Sequence, residues 1–136
     1  MWLGIRIGPL RKAANVPHPH VSTPPESIKH ASSVEEARAL YVFNCAQRAH
    51  YNTLENYSTV LSGMLISGFI YPRLSAAAGF LWIVGRIIYA FGYSSANAEN
   101  VNGSGRFANG GFHLAATSQV GLLVLVGKMG LDLLWA

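Results

Sequence analysis

Arg48, Asn52 and Glu55 are separated by four and then three residues. In an α-helix that spacing puts all three on one face. They belong to the stretch FNCAQRAHYNTLENY, residues 43–57, which leads straight into an apolar run, STVLSGMLISGFIY. A second set follows in LWIVGRIIYAFGY, where Tyr89 and Tyr93 lie three and seven residues after Arg86. A guanidinium inside so apolar a helix must face a bundle interior or water and find an anion. Arginines accept carboxylates as bidentate partners. Glu55 suits an ammonium, and Asn52 and the tyrosine hydroxyls suit amides. Both signs of charge beside neutral donors and acceptors fit a small zwitterionic peptide better than a fatty acid or a metal ion. A structural role accounts for the same residues: Arg86 paired with Glu55, Arg48 capping a carbonyl, and the tyrosines as amphipathic anchors. Spacing alone leaves both open.

The elements that would carry these stripes are apolar and helical. The chain has 136 residues, which suits one small domain, and only 12% are charged against 51% hydrophobic. The apolar residues gather in three stretches, at about 53–71, 74–93 and 110–135, each near the twenty residues that cross a hydrocarbon core. The expected fold is therefore an all-α transmembrane helical bundle. The YPRL turn makes the first two spans an antiparallel hairpin, while SSANAENVNGSGRFANGG is a longer connection. Gly63 with Ser67 and Ser75 with Gly79 suit close helix approach. Tyr71, Trp82, Tyr89, Tyr93 and Trp135 are expected in part as interfacial anchors. Lys128 and Asp132, four apart, can pair or mark the emergence of the third span.

Residues 1–40 form a basic, proline-containing segment distinct from the transmembrane domain at 41–136. The net charge of +4 arises mostly before residue 50, as expected on the cytoplasmic side. VPHPHVSTPPES reads as extended chain or loop. Ser33 with Glu36 three residues later reads as a capping box opening a helix. His18 and His20 lack a third ligand, so no metal site is expected. The sparse basic residues have no interleaved aromatics, which argues against nucleic acid. Cys45 is the one cysteine, so no internal disulfide forms, and a buried apolar role is expected for it.

The motif R-A-H-x-N-T-x-E followed by G-R-x-x-Y-x-x-G-Y closely resembles the type-3 microsomal glutathione transferase branch of the MAPEG family, most strongly over residues 43–93. The resemblance implies a four-helix membrane bundle assembled as a homotrimer. It also implies glutathione as co-substrate, bound between subunits near the cytosolic face. The expected activity is conjugation to a lipophilic electrophile, or reduction of a lipid hydroperoxide. By position, Arg48, Asn52 and Glu55 match glutathione-holding residues, and Arg86, Tyr89 and Tyr93 match the motif on the next span. His50 lies inside the first motif. Arg11 and Lys12 fall where the family has a basic pair that reaches the neighbouring subunit. The implied location is the endoplasmic reticulum membrane, or alternatively the mitochondrial outer membrane.

Two departures from the family pattern stand out. The enzymes carry a basic residue a few positions after the GY pair, which acts on the thiol; here the first is Arg106, which reaches the site only if the connection folds back. LGIRIGPLRKAANV resembles only the tail of the family's first helix and its basic loop. A non-catalytic ligand-binding or scaffold protein of the same fold is the alternative these departures favour. A small transporter subunit would explain Arg86 but not the Asn, Glu and Tyr set. Asn102-Gly103-Ser104 matches a glycosylation sequon, but a cytosolic loop would leave it unmodified.

Overall fold

The computed structural model of the chain describes residues 2–97 and 99–135. All regular structure among them is helical: α1 Trp2–Ala13, α2 Pro25–Lys29, α3 Val34–Gly68, α4 Pro72–Tyr93, α5 Gly105–Ala108 and α6 Gly111–Leu134. α3, α4 and α6 pack against one another, while α1 and α2 pack on the N-terminal half of α3. The result is the expected all-α bundle.

α3 begins where the capping pattern places it. Ser33 Oγ accepts from the Glu36 backbone N–H at 3.1 Å. The Glu36 carboxylate returns to the N–H of Ser32, at 2.7 Å, and to the Ser32 hydroxyl, so the box closes one residue early. From there α3 runs 35 residues, about 52 Å at 1.5 Å per residue. It therefore carries both the polar stripe and the first expected span. That span is continuous helix, but Glu55, Asn56, Ser58 and Thr59 dilute its apolar character. Among the described residues, α4 and α6 are the helices long and apolar enough to cross a membrane by length and composition.

Small residues let these helices approach closely. Ser67 donates to the Gly63 carbonyl at 2.7 Å, Ser75 donates to the Met64 carbonyl at 2.9 Å, and the two hydroxyls sit 3.1 Å apart. That sews α3 to α4 next to the YPRL turn, which makes them an antiparallel hairpin as expected. On its other side α4 meets α6, where a Cβ on Gly85 would lie 2.6 Å from the Ala115 nitrogen. Val60, Trp82, Ala115 and Leu122 form the core between the three long helices. At the turn end Lys128 and Asp132 pair at 2.6 Å and the Tyr71 hydroxyl donates to Asp132 at 2.8 Å.

Two sequence expectations need correction. Trp82 and Tyr89 are not interfacial anchors; each is 5% exposed inside the bundle. Their positions follow from α4 turning the Trp82–Arg86–Tyr89 face toward α3 and α6. The VPHPHVSTPPES segment is not wholly extended, since Pro25 opens the five-residue α2; proline's fixed φ suits the first helical position. This segment is tied to α3: Asn44 bonds Thr23 through both its side-chain oxygen and its amide, and Gln47 donates to the Val21 carbonyl. Ile7, Ala14 and Val16 bury against Leu40, Phe43 and Ala46 beneath it.

Candidate functional site

The two polar stripes meet. α3 presents Arg48, Asn52 and Glu55 on one face, and α4 brings Arg86 across to the middle of that face. Arg48 Nη1 pairs with Glu55 Oε1 at 3.3 Å. Asn52 donates from Nδ2 to the other Glu55 oxygen at 3.3 Å, and its Oδ1 accepts from Arg86 Nη2 at 2.8 Å. Thr53 Oγ1 accepts from Arg86 Nε at 3.1 Å and from Nη2 at 3.0 Å. Arg48 and Glu55 are exposed, with half or more of each side chain open. Arg86 is 6% exposed.

Glu55 therefore does not pair with Arg86; it pairs with Arg48 on its own helix. The reason is reach: Asn52 stands between, with its oxygen toward Arg86 and its amide toward Glu55. Among the described residues no carboxylate lies within ion-pair distance of Arg86. The buried cation is held by an amide, a hydroxyl, and the face of Tyr89, whose ring centroid is 4.2 Å from the guanidinium carbon. Its Nη1 makes no hydrogen bond among the described residues. Tyr89 in turn stacks edge-on against Tyr93 at 5.5 Å.

The connection after α4 does fold back. The Arg106 guanidinium carbon sits 5.7 Å from the Tyr93 ring centroid, and Arg106 is close enough to Cys45 for its charge to act on the thiol. Arg48, Tyr93, Tyr41, Asn44 and Cys45 line a shallow cleft of about 300 Å³ together with Pro25, Ile28 and Gly103. His50, Thr53 and Arg86 instead line a separate groove of about 420 Å³ whose walls are Trp2, Leu54, Tyr57, Trp82 and Ile87. Of the sequence-predicted residues, Arg48 and Tyr93 thus line one cavity and His50 and Arg86 the other.

Arg11 is not part of either cavity. It donates to the His20 carbonyl at 2.6 Å and lies over Phe43 at 5.0 Å, which holds the N-terminal loop. Lys12 is exposed on the same short helix. Tyr41, Asn44 and Thr53 were not among the sequence candidates. The signal was periodicity: Tyr41 and Asn44 continue the Arg48 stripe at minus seven and minus four. Thr53 had no such signal, since it lies off the stripe.

Cys45 is buried, as expected from its type. Burial pushes its thiol up from the ordinary range, partly offset by the Tyr41 hydroxyl and by the charges of Arg38 and Arg106. Only the thiolate is a good nucleophile. Maleimide labelling at pH 7 is therefore expected to be at least about tenfold slower than for an exposed cysteine peptide, and to become fast in SDS. The same shift has a sign in stability. A folded-state pKa above the unfolded one contributes stability that is present below the unfolded pKa and lost as pH rises through the folded one. Cys45→Ala should make the alkaline limb of a pH–stability scan shallower. Equal labelling rates with and without SDS would place the thiol in solvent instead.

Comparison with known proteins adds a family. The sequence profile of the MAPEG family matches residues 1–127. An uncharacterized protein of Synechocystis sp. is 34% identical over 94 residues, 68% of this chain and 61% of that protein. The chain thus spans about three fifths of the length of that relative. No solved structure matches.

Proposed function

Because this chain belongs to the MAPEG family, we propose that it is an integral-membrane glutathione transferase with glutathione-dependent lipid-hydroperoxide peroxidase activity. The observation that carries the proposal is the chain of contacts from exposed Arg48 and Glu55 through Asn52 to buried Arg86. A guanidinium buried against neutral acceptors keeps unspent capacity for an anionic ligand. Arg48 and Arg86 take carboxylates of the tripeptide, Glu55 its ammonium, and Asn52, Tyr89 and Tyr93 its amides. His50, Arg11 and Lys12 are secondary contacts, the last two toward a neighbouring subunit of a homotrimer whose glutathione sites face the cytosol.

The chemistry follows from the thiol. Glutathione is mostly protonated at neutral pH, and a nearby cation favours the thiolate. Arg106, over the Tyr93 ring, is the group we assign to this role. The thiolate then forms a C–S bond to a lipophilic electrophile that enters from the bilayer, and the electrophile's leaving group or ring-opened oxygen carries off the electron pair. The groove lined by Trp2, Leu54, Tyr57 and Trp82 supplies a wall for such a molecule beside Arg86.

The test is glutathione binding and turnover by the purified protein in detergent. Arg48→Ala and Glu55→Ala are each expected to weaken glutathione binding about tenfold, the scale of one charge-assisted hydrogen bond, with little change in melting temperature. Variants that unfold but bind normally while folded would make the stripe structural. Binding without conjugation or peroxide reduction would select the non-catalytic, ligand-binding reading that the displacement of the basic residue to Arg106 favours.

A further inference from the structure

Arg106 is useful at the cleft only if a polar, glycine-containing connection is held still. The described residues of 94–104 bury little apolar surface of their own, and such segments lie at the low-stability end of a fold. What fastens this one comes from α3. Arg38 donates from Nε to the Ala96 carbonyl at 3.0 Å, from Nη2 to Ser95 at 3.3 Å and from Nη1 to Asn100 at 3.4 Å. All three nitrogens of one guanidinium thus take carbonyls of the same connection. One turn on, the Tyr41 hydroxyl accepts from the Gly103 N–H at 2.6 Å, and the Arg38 guanidinium lies 5.2 Å from the Tyr41 ring centroid.

The far end is fixed against α4. Gly103 has φ +71°, and a Cβ there would lie 2.5 Å from the Tyr93 ring. The glycine is therefore gripped between the Tyr41 hydroxyl and the Tyr93 face. Asn100, 3% exposed, donates to the carbonyls of Tyr93 and Ser95 and accepts from the Gly105 N–H, each at 2.9 Å. Arg106 follows directly, over Tyr93. α3 thus holds the glutathione-facing stripe and, two to three turns earlier, the fastening of the segment that carries Arg106.

We infer that Arg38, with Tyr41, is a positioning residue: it clips the 95–103 connection to α3 and thereby sets where Arg106 stands over Tyr93. The inference rests on the proposed role of Arg106. A planar fork explains why arginine is needed, since lysine offers one point charge and cannot span three carbonyls. Neither side chain has to touch substrate.

The test compares Arg38→Gln, Arg38→Lys and Tyr41→Phe, each alone and with Arg106→Ala. Amide hydrogen exchange over 95–106 and separate kcat and KM for glutathione are measured in detergent. Arg38→Gln is expected to speed exchange there about tenfold or more. It should lower kcat about tenfold with KM for glutathione within about twofold, and Arg38→Lys should recover only part of either. In the Arg106→Ala background Arg38→Gln should lower kcat no further, because positioning has nothing left to position. Unchanged exchange overturns the clip, and so does an Arg38→Gln effect on kcat of the same size in both backgrounds. Exchange is read whether or not the protein turns over. Faster exchange in a protein without turnover would overturn the transferase reading while upholding the clip.

Discussion

Arg86→Met is expected to weaken glutathione binding about a hundredfold, or about 2.7 kcal/mol, measured by calorimetry on the detergent-solubilised protein. The size follows from what the guanidinium does. It is 6% exposed, no carboxylate neutralises it among the described residues, and one of its terminal nitrogens is unbonded there. A ligand carboxylate that reaches it gains a charge-assisted bond. Methionine fills much of the same volume, so packing against Trp82 and Tyr89 changes little, but Asn52 and Thr53 each lose a donor. The folded protein should therefore survive with a modestly lower melting temperature. Arg86→Lys keeps the charge yet cannot serve Asn52, Thr53 and a ligand together, and is expected to fall between. Normal glutathione affinity in folded Arg86→Met would remove Arg86 from the site and return it to a purely structural role.

The legible parts of this site were those governed by period. One helical repeat placed Arg48, Asn52 and Glu55 together, and another placed Arg86, Tyr89 and Tyr93; the structure joins the two through Arg86 and Asn52. What spacing could not supply was which partner each side chain chooses across the helix interface. Opposite charge makes Glu55 the partner of Arg86 in the structural alternative, but Asn52 sits between them and the carboxylate finds Arg48 first. Rotation about α4 was equally illegible, so Trp82 and Tyr89 read as anchors although they are core. Arg106 is the reverse case. Thirteen residues beyond Tyr93 in sequence, it returns to the Tyr93 ring because Arg38, Tyr41 and Asn100 fold the connection back. A three-carbonyl clip has no sequence signature.

The fold was legible for a simpler reason: apolar length and small-residue spacing are one-dimensional. Gly63–Ser67 and Ser75–Gly79 marked the α3–α4 seam, and its hydroxyl bonds lie there. The first span was harder, because it is the second half of a helix that begins near residue 34. Of the polar residues that lower its hydropathy, Glu55 belongs to the stripe with Arg48 and Asn52.

The α4–α6 seam had no such marking, and it sets the second large effect. A Cβ on Gly111 would lie 2.4 Å from the Tyr89 backbone nitrogen and 2.8 Å from the Gly85 carbonyl oxygen. Both obstacles are backbone, so no rotamer relieves them, and α6 must move away from α4. In a membrane, helices associate through close packing rather than hydrophobic exclusion. Lost contact on this seam is therefore not made good by lipid. Gly111→Val is expected to cost about 3 kcal/mol or more and to lower the melting temperature in detergent by roughly 10 °C. The harm should extend to the site. Tyr89 lies under Arg86, so a shifted α4 turn displaces the guanidinium from Asn52 and Thr53, and glutathione affinity should fall with stability. Gly127→Val is the control on the same helix, since a Cβ there meets nothing within 4 Å. A Gly111→Val protein that melts and binds like its parent would mean that α6 does not hold α4 in place. The position of Arg86 would then have to be set by α3 alone.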